Sequence, residues 1–260
     1  MSYKISYQLY SSRNFPPLEA QLPILKEIGY DAVEPWLPAY ETSAKAFRRS
    51  IDDAGLTCIG FHMPLSGLTD ETERFIDIAH DLGATLMIPP WIAPESRDAK
   101  PAGWQKLGEA LARGAEKVGS AGLRVAWHNH DFEYRPLRDG SRPIDHILEA
   151  SSPDVGFEID CGWIVRGGGD PAAELVRYAD RIWAIQVKDT APIGTTLDDG
   201  WAATGDGIID WESLWPLFRR TKADHIVVEH DNPSDWQRFA RRSFDCVRRL
   251  MERGGAGPLQ

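Results

Sequence analysis

Three pairs of polar residues stand two apart within otherwise apolar stretches: His128 with His130 in LRVAWHNH, Glu158 with Asp160 in DVGFEID, and Gln186 with Lys188 in RIWAIQVKD. Residues two apart in an extended strand share a face, so each pair can aim the same way. Single polar residues close three further apolar stretches: Glu34 in GYDAVEPW, His62 in CIGFHMP and Glu229 in HIVVEHD. Carboxylates serve as bases, imidazoles pass protons near neutral pH, and the two together bind metal ions. Each residue alone has an ordinary explanation, a helix cap for a glutamate or a satisfied core residue for a histidine. Gathered without a basic cluster, they repel one another unless a cation sits among them. Mixed oxygen and imidazole ligands suit manganese, magnesium, cobalt or zinc. Lys188 with water is the alternative counterweight.

The elements that must bring these residues together are legible as a repeat. Four times an amphipathic stretch runs through a glycine into a short apolar segment: KEIGYDAVEPW, DDAGLTCIGFHMP, HDLGATLMIPPW and SAGLRVAWHNH. Each glycine (Gly29, Gly55, Gly83, Gly122) stands where a helix would end in a left-handed residue. Together with KISYQLY, DVGFEIDCGW, RIWAIQVKD and HIVVEHD this makes eight candidate strands alternating with helices. Eight such units in about 250 residues predict an α/β fold, a single closed (β/α)8 barrel. An open doubly wound sheet would carry a glycine-rich phosphate loop after the first strand, where this chain reads YSSRNFPPLE. In a barrel these polar residues fall at the carboxyl ends of strands, where active sites lie. The long segments 89–103 and 190–210 belong to the same face. Trp36, Trp91, Trp163 and Trp201 fall in mouth segments, where aromatic faces suit the C–H faces of a sugar.

The 260 residues are 42% hydrophobic and 26% charged, with a net charge of −10. No composition shift divides them, so one domain over 1–260 is expected, with 251–260 as a frayed tail. The acidic balance disfavours nucleic acid as a partner. Arg241, Arg242, Arg248 and Arg249 interleave with apolar residues at helical spacing and read as the wet face of an amphipathic helix. No run is long and apolar enough for a membrane span, and the amino terminus lacks a signal peptide's pattern, so a cytoplasmic protein is expected. Three cysteines without a CxxC pair argue against a disulfide framework. Whether the chain forms a homo-oligomer stays open.

The ordered phrases WHNHDFEY (127–134), FEIDCGWIVRGGGDP (157–171), IQVKD (185–189), TGDGIIDW (204–211) and VVEHD (227–231) resemble the xylose isomerase-like sugar isomerase/epimerase superfamily of TIM barrels. The first half is similar mainly in GYDAVEPW and the barrel rhythm. The resemblance implies a divalent metal at the mouth, with Asp160 and Glu229 as ligands. His128 stands where many members have glutamate, with Glu133 nearby as a substitute, and Gln186 stands where the usual phrase has histidine. An amide oxygen is a weaker ligand than imidazole for a transition metal.

The resemblance further implies removal of a proton next to a carbonyl, through an enediolate, on a small carbohydrate. Glu229 or Glu158 is the expected base, with His62 and His130 as further catalytic residues passing protons. Glu34, Trp36, Glu133 and Lys188 are expected to hold substrate, and His128, Asp160, Gln186 and Glu229 the metal. Isomerisation or epimerisation is the first expectation. Elimination from the same intermediate, by a keto-sugar or inosose lyase or dehydratase, is the alternative, favoured by His128 where two-base epimerases have a glutamate. A non-catalytic sugar-binding or partner subunit is a further alternative, prompted by Gln186.

Overall fold

The computed structural model describes residues 2–255 and Gly257. Its parallel strands are β1 (Lys4–Gln8), β2 (Ala32–Glu34), β3 (Thr57–Cys58), β4 (Gly60–His62), β5 (Leu86–Ile88), β6 (Arg124–His128), β7 (Val155–Asp160), β8 (Ile182–Gln186) and β11 (His225–Val228). Two short strands, β9 (Asp189–Thr190) and β10 (Trp201–Ala202), pair antiparallel by themselves. The strand order is β3-β2-β1-β11-β8-β7-β6-β5-β4, so neighbours in sequence are neighbours in space. The two ends of that order are halves of one stave, interrupted at Ile59. The seam tightens at the mouth, where His62 N–H donates to Pro35 O at 2.8 Å and Trp36 bridges His62. The eight-stave barrel expected from the repeat is present; the interruption of the third stave is the departure.

Outward residues such as Val125, Trp127, Phe157, Ile159, Ile185 and Val228 are buried in one continuous core with the helices. The inward row is different. Ser6, Gln8, Glu34, His62, His128, Glu158, Asp160, Gln186, His225 and Glu229 are all buried polar residues. A small apolar group of Leu86, Ile88 and Ala126 fills the other side of the interior. Alternation along the strands separates the two sets: odd positions of β6 feed the helix layer, even positions the axis.

The repeat's four glycines all have positive φ, 124° at Gly29, 72° at Gly55, 68° at Gly83 and 75° at Gly122. Side chains rarely adopt this conformation, and it turns each helix end toward the next strand. The last helix, Trp236–Gly254, is capped by Asp235, which accepts from Arg238 N–H at 3.0 Å. It buries Trp236, Phe239, Phe244, Val247 and Leu250 and exposes Arg241, Arg242, Arg248 and Arg249. Arg242 pairs with Asp206 and Arg248 with Glu252, so these arginines line an ordinary solvated face. The helix continues through 251–254, inside the stretch expected to fray; Ala256 and 258–260 lie outside the described residues. All three cysteines are free and buried. No described helix is long and apolar enough to cross a membrane.

Candidate active site

The phrase WHNHD builds one wall of the mouth. His128 ends β6 facing the axis, opposite Glu158 in the register. Asn129 faces away and clamps the next stave: its Oδ1 accepts from Asp160 N–H at 2.9 Å and its Nδ2 donates to Asp160 O at 3.2 Å. His130 lies against Trp163, with ring centroids 5.0 Å apart. Glu133 corrects an expectation. Its Oε1 accepts from Trp127 Nε1 at 3.1 Å and its Oε2 from His130 N–H at 2.9 Å. Both oxygens thus fasten the turn Asp131–Glu133 to the outer side of β6, and Glu133 is fully buried.

The sixth stave contributes Glu158 and Asp160 together. Glu158 Oε2 receives His62 Nε2 at 2.9 Å and His128 Nδ1 at 3.0 Å. His62 Nε2 also lies 3.1 Å from Glu34 Oε1, which accepts from Gln8 Nε2 at 2.7 Å. Asp160 divides its work. Its Oδ1 caps the helix Cys161–Arg166 through Trp163 N–H at 2.8 Å, and its Oδ2 turns to the axis. A side chain at Gly162 would place Cβ 2.5 Å from Lys188 O, so glycine there lets that helix press on the seventh stave.

Gln186 and Lys188 meet Asp160 and Glu229 at the centre. Lys188 Nζ lies 2.9 Å from Glu229 Oε2, 2.5 Å from Asp231 Oδ1 and 3.9 Å from Asp160 Oδ2. It also lies 4.6 Å from the ring centroids of both Trp163 and Trp201. The Gln186 amide sits between the carboxylates. With its nitrogen toward them it donates to Asp160 Oδ2 at 2.5 Å and to Glu229 Oε2 at 2.7 Å. With its oxygen toward them, three oxygens face one another, an arrangement that needs a cation between them.

Asp189, which the sequence reading passed over, holds the loop above. Its carboxylate accepts from the backbone N–H of Thr190 (2.8 Å), Gly205 (2.9 Å), Gly207 (3.2 Å) and Ile209 (3.2 Å), and from Trp211 Nε1 (2.8 Å). A Cβ on Gly207 would stand 2.2 Å from Asp189 Oδ1. The phrases VKD and TGDGIIDW are therefore one device, a carboxylate and the amides it gathers. It fixes Trp201 over Lys188.

Charge sets the character of the cluster. Burial raises the proton affinity of Asp160 and Glu229, and Asp231 adds to this, while Lys188 opposes it. Burial works against a charge on Lys188, yet Asp231, Glu229 and Asp160 outweigh it and hold the amine protonated. Burial likewise works against a charge on His62, but Glu34 and Glu158 push its pKa up to about 10. The two carboxylates therefore favour the protonated form of His62. His128 and His130 are held well below the usual range, first by burial and then by neighbouring positive charge, and are neutral. Lys188 is the ammonium that faces Asp160, Glu229 and Asp231 together.

Three groups bring candidate ligand atoms within 4.8 Å of one another: His62, His128 and Glu158; Glu34, Glu158 and His225; and His128, Asp160 and Glu229. In the first, both imidazoles already bond the carboxylate. The second lies deeper, with Glu34 Oε2, Glu158 Oε1 and His225 Nε2 unpartnered. The third is at the mouth with Gln186. There the His128 Nδ1 bond to Glu158 orients the ring and leaves its other nitrogen free, the arrangement by which carboxylates support metal-bound histidines. The donor set of His128, Asp160, Gln186 and Glu229 fits a divalent cation. His225 and Asp231 were missed in the sequence although both lie an even number of residues from Glu229.

A family profile described as xylose isomerase-like TIM barrel matches residues 22–250. The inosose dehydratase of Geobacillus kaustophilus (strain HTA426) is 29% identical over 116 residues, 43% of this chain and 37% of that protein. The chain spans 37% to 51% of the length of the curated relatives it matches. A sugar phosphate isomerase/epimerase from Parabacteroides distasonis ATCC 8503 superposes with a TM-score of 0.80 at 20% identity, over 95% of this chain and 94% of that one. IolI, solved with a binding zinc atom, gives a TM-score of 0.75 at 16% identity, over 95% and 96%. These two likenesses establish the fold. With the profile spanning most of the barrel, from the first helix to the last, the chain belongs to the xylose isomerase-like TIM barrel family.

Proposed function

We propose that this chain is an enzyme that removes the proton next to the carbonyl of a small keto-sugar or keto-polyol. Its first outcome is isomerisation or epimerisation, in which the proton returns to a neighbouring atom or to the opposite face. The observation that carries this reading is the convergence of Asp160, Glu229, His128 and Gln186 at the barrel mouth, with Lys188 as the single ammonium among the carboxylates. A carbon acid of this kind is too weak to ionise unaided at neutral pH. His128, Asp160, Gln186 and Glu229 would hold a divalent cation, which when bound supplies Lewis-acid stabilisation to oxygen that gains charge.

The chain's own residues divide the remaining work. Glu229 is the base: burial raises its proton affinity, which brings a carboxylate closer to the strength the step needs. Glu158 is committed to His62 and His128 and positions both rings. Lys188 holds hydroxyls, Glu34 holds His62 in place, and Trp163 and Trp201 offer flat faces that exclude water. Neutral His130, against Trp163, offers substrate a hydrogen-bond partner.

Elimination is the second reading, favoured by one feature. The fifth-stave position that would carry a second base holds a neutral histidine, His128, oriented by Glu158. In that case Glu229 takes the α-proton, the bond from the β-carbon to its oxygen breaks with its electron pair, and the protonated imidazole of His62 gives its proton to the departing oxygen and is reprotonated from solvent.

The test is incubation with keto-sugars and inososes in deuterated water. Deuterium at the α-carbon with the mass otherwise retained supports isomerisation or epimerisation, and loss of water or an alcohol supports elimination. Glu229→Gln should abolish both. Absence of exchange, of elimination and of carbonyl-sugar binding would leave only a non-catalytic barrel.

A further inference from the structure

One side of the mouth is unlike the rest. Between the ends of β2, β4 and β5 lies a cavity of about 480 Å³, whose walls are Trp36, Leu37, Met63, Leu65, Trp91 and Ile92 with neighbouring prolines. His62 is the one ionisable residue that lines it. His62 also belongs to the polar cluster, where its Nε2 bonds Glu158 and Glu34, so the cavity and the cluster share that side chain. The indole of Trp91 is 47% exposed at the rim, with the Arg97 guanidinium 5.5 Å from its ring centre. The opposite wall carries Lys188 and Arg166 against Trp163 and Trp201. The mouth thus has a charged half and an apolar half that meet at His62.

A bare sugar or polyol carries hydroxyls around its whole ring. Placed against this cavity it would lose water without gaining partners for those hydroxyls. A flat apolar group meets the opposite balance, since it gains the burial of its surface and needs no hydrogen bonds. The volume falls within the range of ligand pockets, roughly 300–1,000 Å³, and exceeds what a hydroxymethyl arm needs.

We infer that this cavity is a subsite for an apolar substituent joined to the carbohydrate, such as the aryl group of an aryl glycoside. The inference rests on the carbohydrate reading given above and names its substrate class: a two-part molecule, keto-sugar at the carboxylates and one or two fused rings between Trp36, Leu65 and Trp91. His62 marks the junction.

The experiment compares the methyl and the naphthyl glycoside of one keto-sugar by calorimetry with the full chain. The naphthyl form should bind about ten- to fifty-fold more tightly, the scale set by burying one aromatic group. Leu65→Ser and Ile92→Ser, checked for folding by thermal melts, should reduce that ratio below about threefold and leave the methyl form's affinity in place. Equal affinities for the two glycosides, or an equal loss of both in the variants, would overturn the inference. If neither glycoside binds, the carbohydrate reading fails, and the cavity is then probed with 1-naphthol alone through tryptophan fluorescence. Binding lost in Leu65→Ser supports the apolar subsite, and no binding overturns it. A dimer that forms over this face and excludes naphthol also overturns it.

Discussion

Lys188→Met is the perturbation that weighs the central charges most directly. The side chain is 1% exposed and its ammonium contacts Glu229 and Asp231, with Asp160 at 3.9 Å. A single such contact near 3 Å amounts to a gross attraction of about 6 kcal/mol at an effective dielectric constant of ~20, most of it offset by desolvation. Methionine keeps the stem's packing against Trp163 and Trp201 and removes the charge, leaving the buried Asp160 and Glu229 and the part-exposed Asp231 without it. Removing one partner of a buried ion pair costs about 3–5 kcal/mol. For a chain of this size that is a fall in Tm of roughly 6–20 °C. The measurement is calorimetry in chelator at neutral pH, repeated with millimolar manganese. Manganese should restore part of the loss, because Asp160 and Glu229 then have another positive partner. Acid should narrow the gap as well, since both carboxylates already have raised pKa values and protonation removes the uncompensated charge. A variant that melts within about 2 °C of the parent in chelator would refute this account of the centre.

Replacing Gln186 by His should tighten zinc binding by about tenfold, or roughly 1.4 kcal/mol, by titration calorimetry; unchanged affinity would remove residue 186 from the ligand set. Asp189→Ala should cost at least about 3 kcal/mol, since four backbone amides and an indole lose one charged acceptor, and limited proteolysis should then cut within 190–210. Gly207→Ala should loosen the same loop, because its Cβ would stand 2.3 Å from Thr190 O. Burial tends to raise the Asp145 pKa, but bonds from Arg142 at 2.9 Å and Tyr178 at 2.8 Å outweigh it and hold the value below the ordinary range. Asp145→Asn should therefore destabilise the chain at neutral pH, and its deficit should fade in denaturant melts as pH falls below ~3.9 toward the depressed folded value.

The staves were legible because their cause is local. A glycine with positive φ, an apolar run and a helical stretch repeat along the chain, and alternation then assigns each residue to the axis or the helix layer. That rule placed His128, Glu158, Asp160 and Gln186 correctly within the strands. It failed where the strand ends: Glu133 follows β6 by five residues, and the turn at Asp131 carries it to the outer side. The interruption at Ile59 and the gathering of amides by Asp189 depend on partners far along the chain, which periodicity does not report. The charge on His62 was illegible for a similar reason. It comes from Glu34 and Glu158, 28 residues before it and 96 after it, and no local pattern relates the three.

The five donors on Asp189 divide the rim into a fixed cornice and a free one. Thr190, Gly205, Gly207, Ile209 and Trp211 cannot be moved one at a time, because they share a single acceptor next to the strand pair that carries Trp201 over Lys188. The facing segment 89–100 is held by several separate contacts, such as Arg97 to Ile92 O, Arg97 over Phe132 and Trp104 Nε1 to Asp98 O. No side chain of that segment bonds Asp160, Glu158 or Glu229 among the described residues, so changes at its exposed Trp91 alter the rim before they alter the carboxylates.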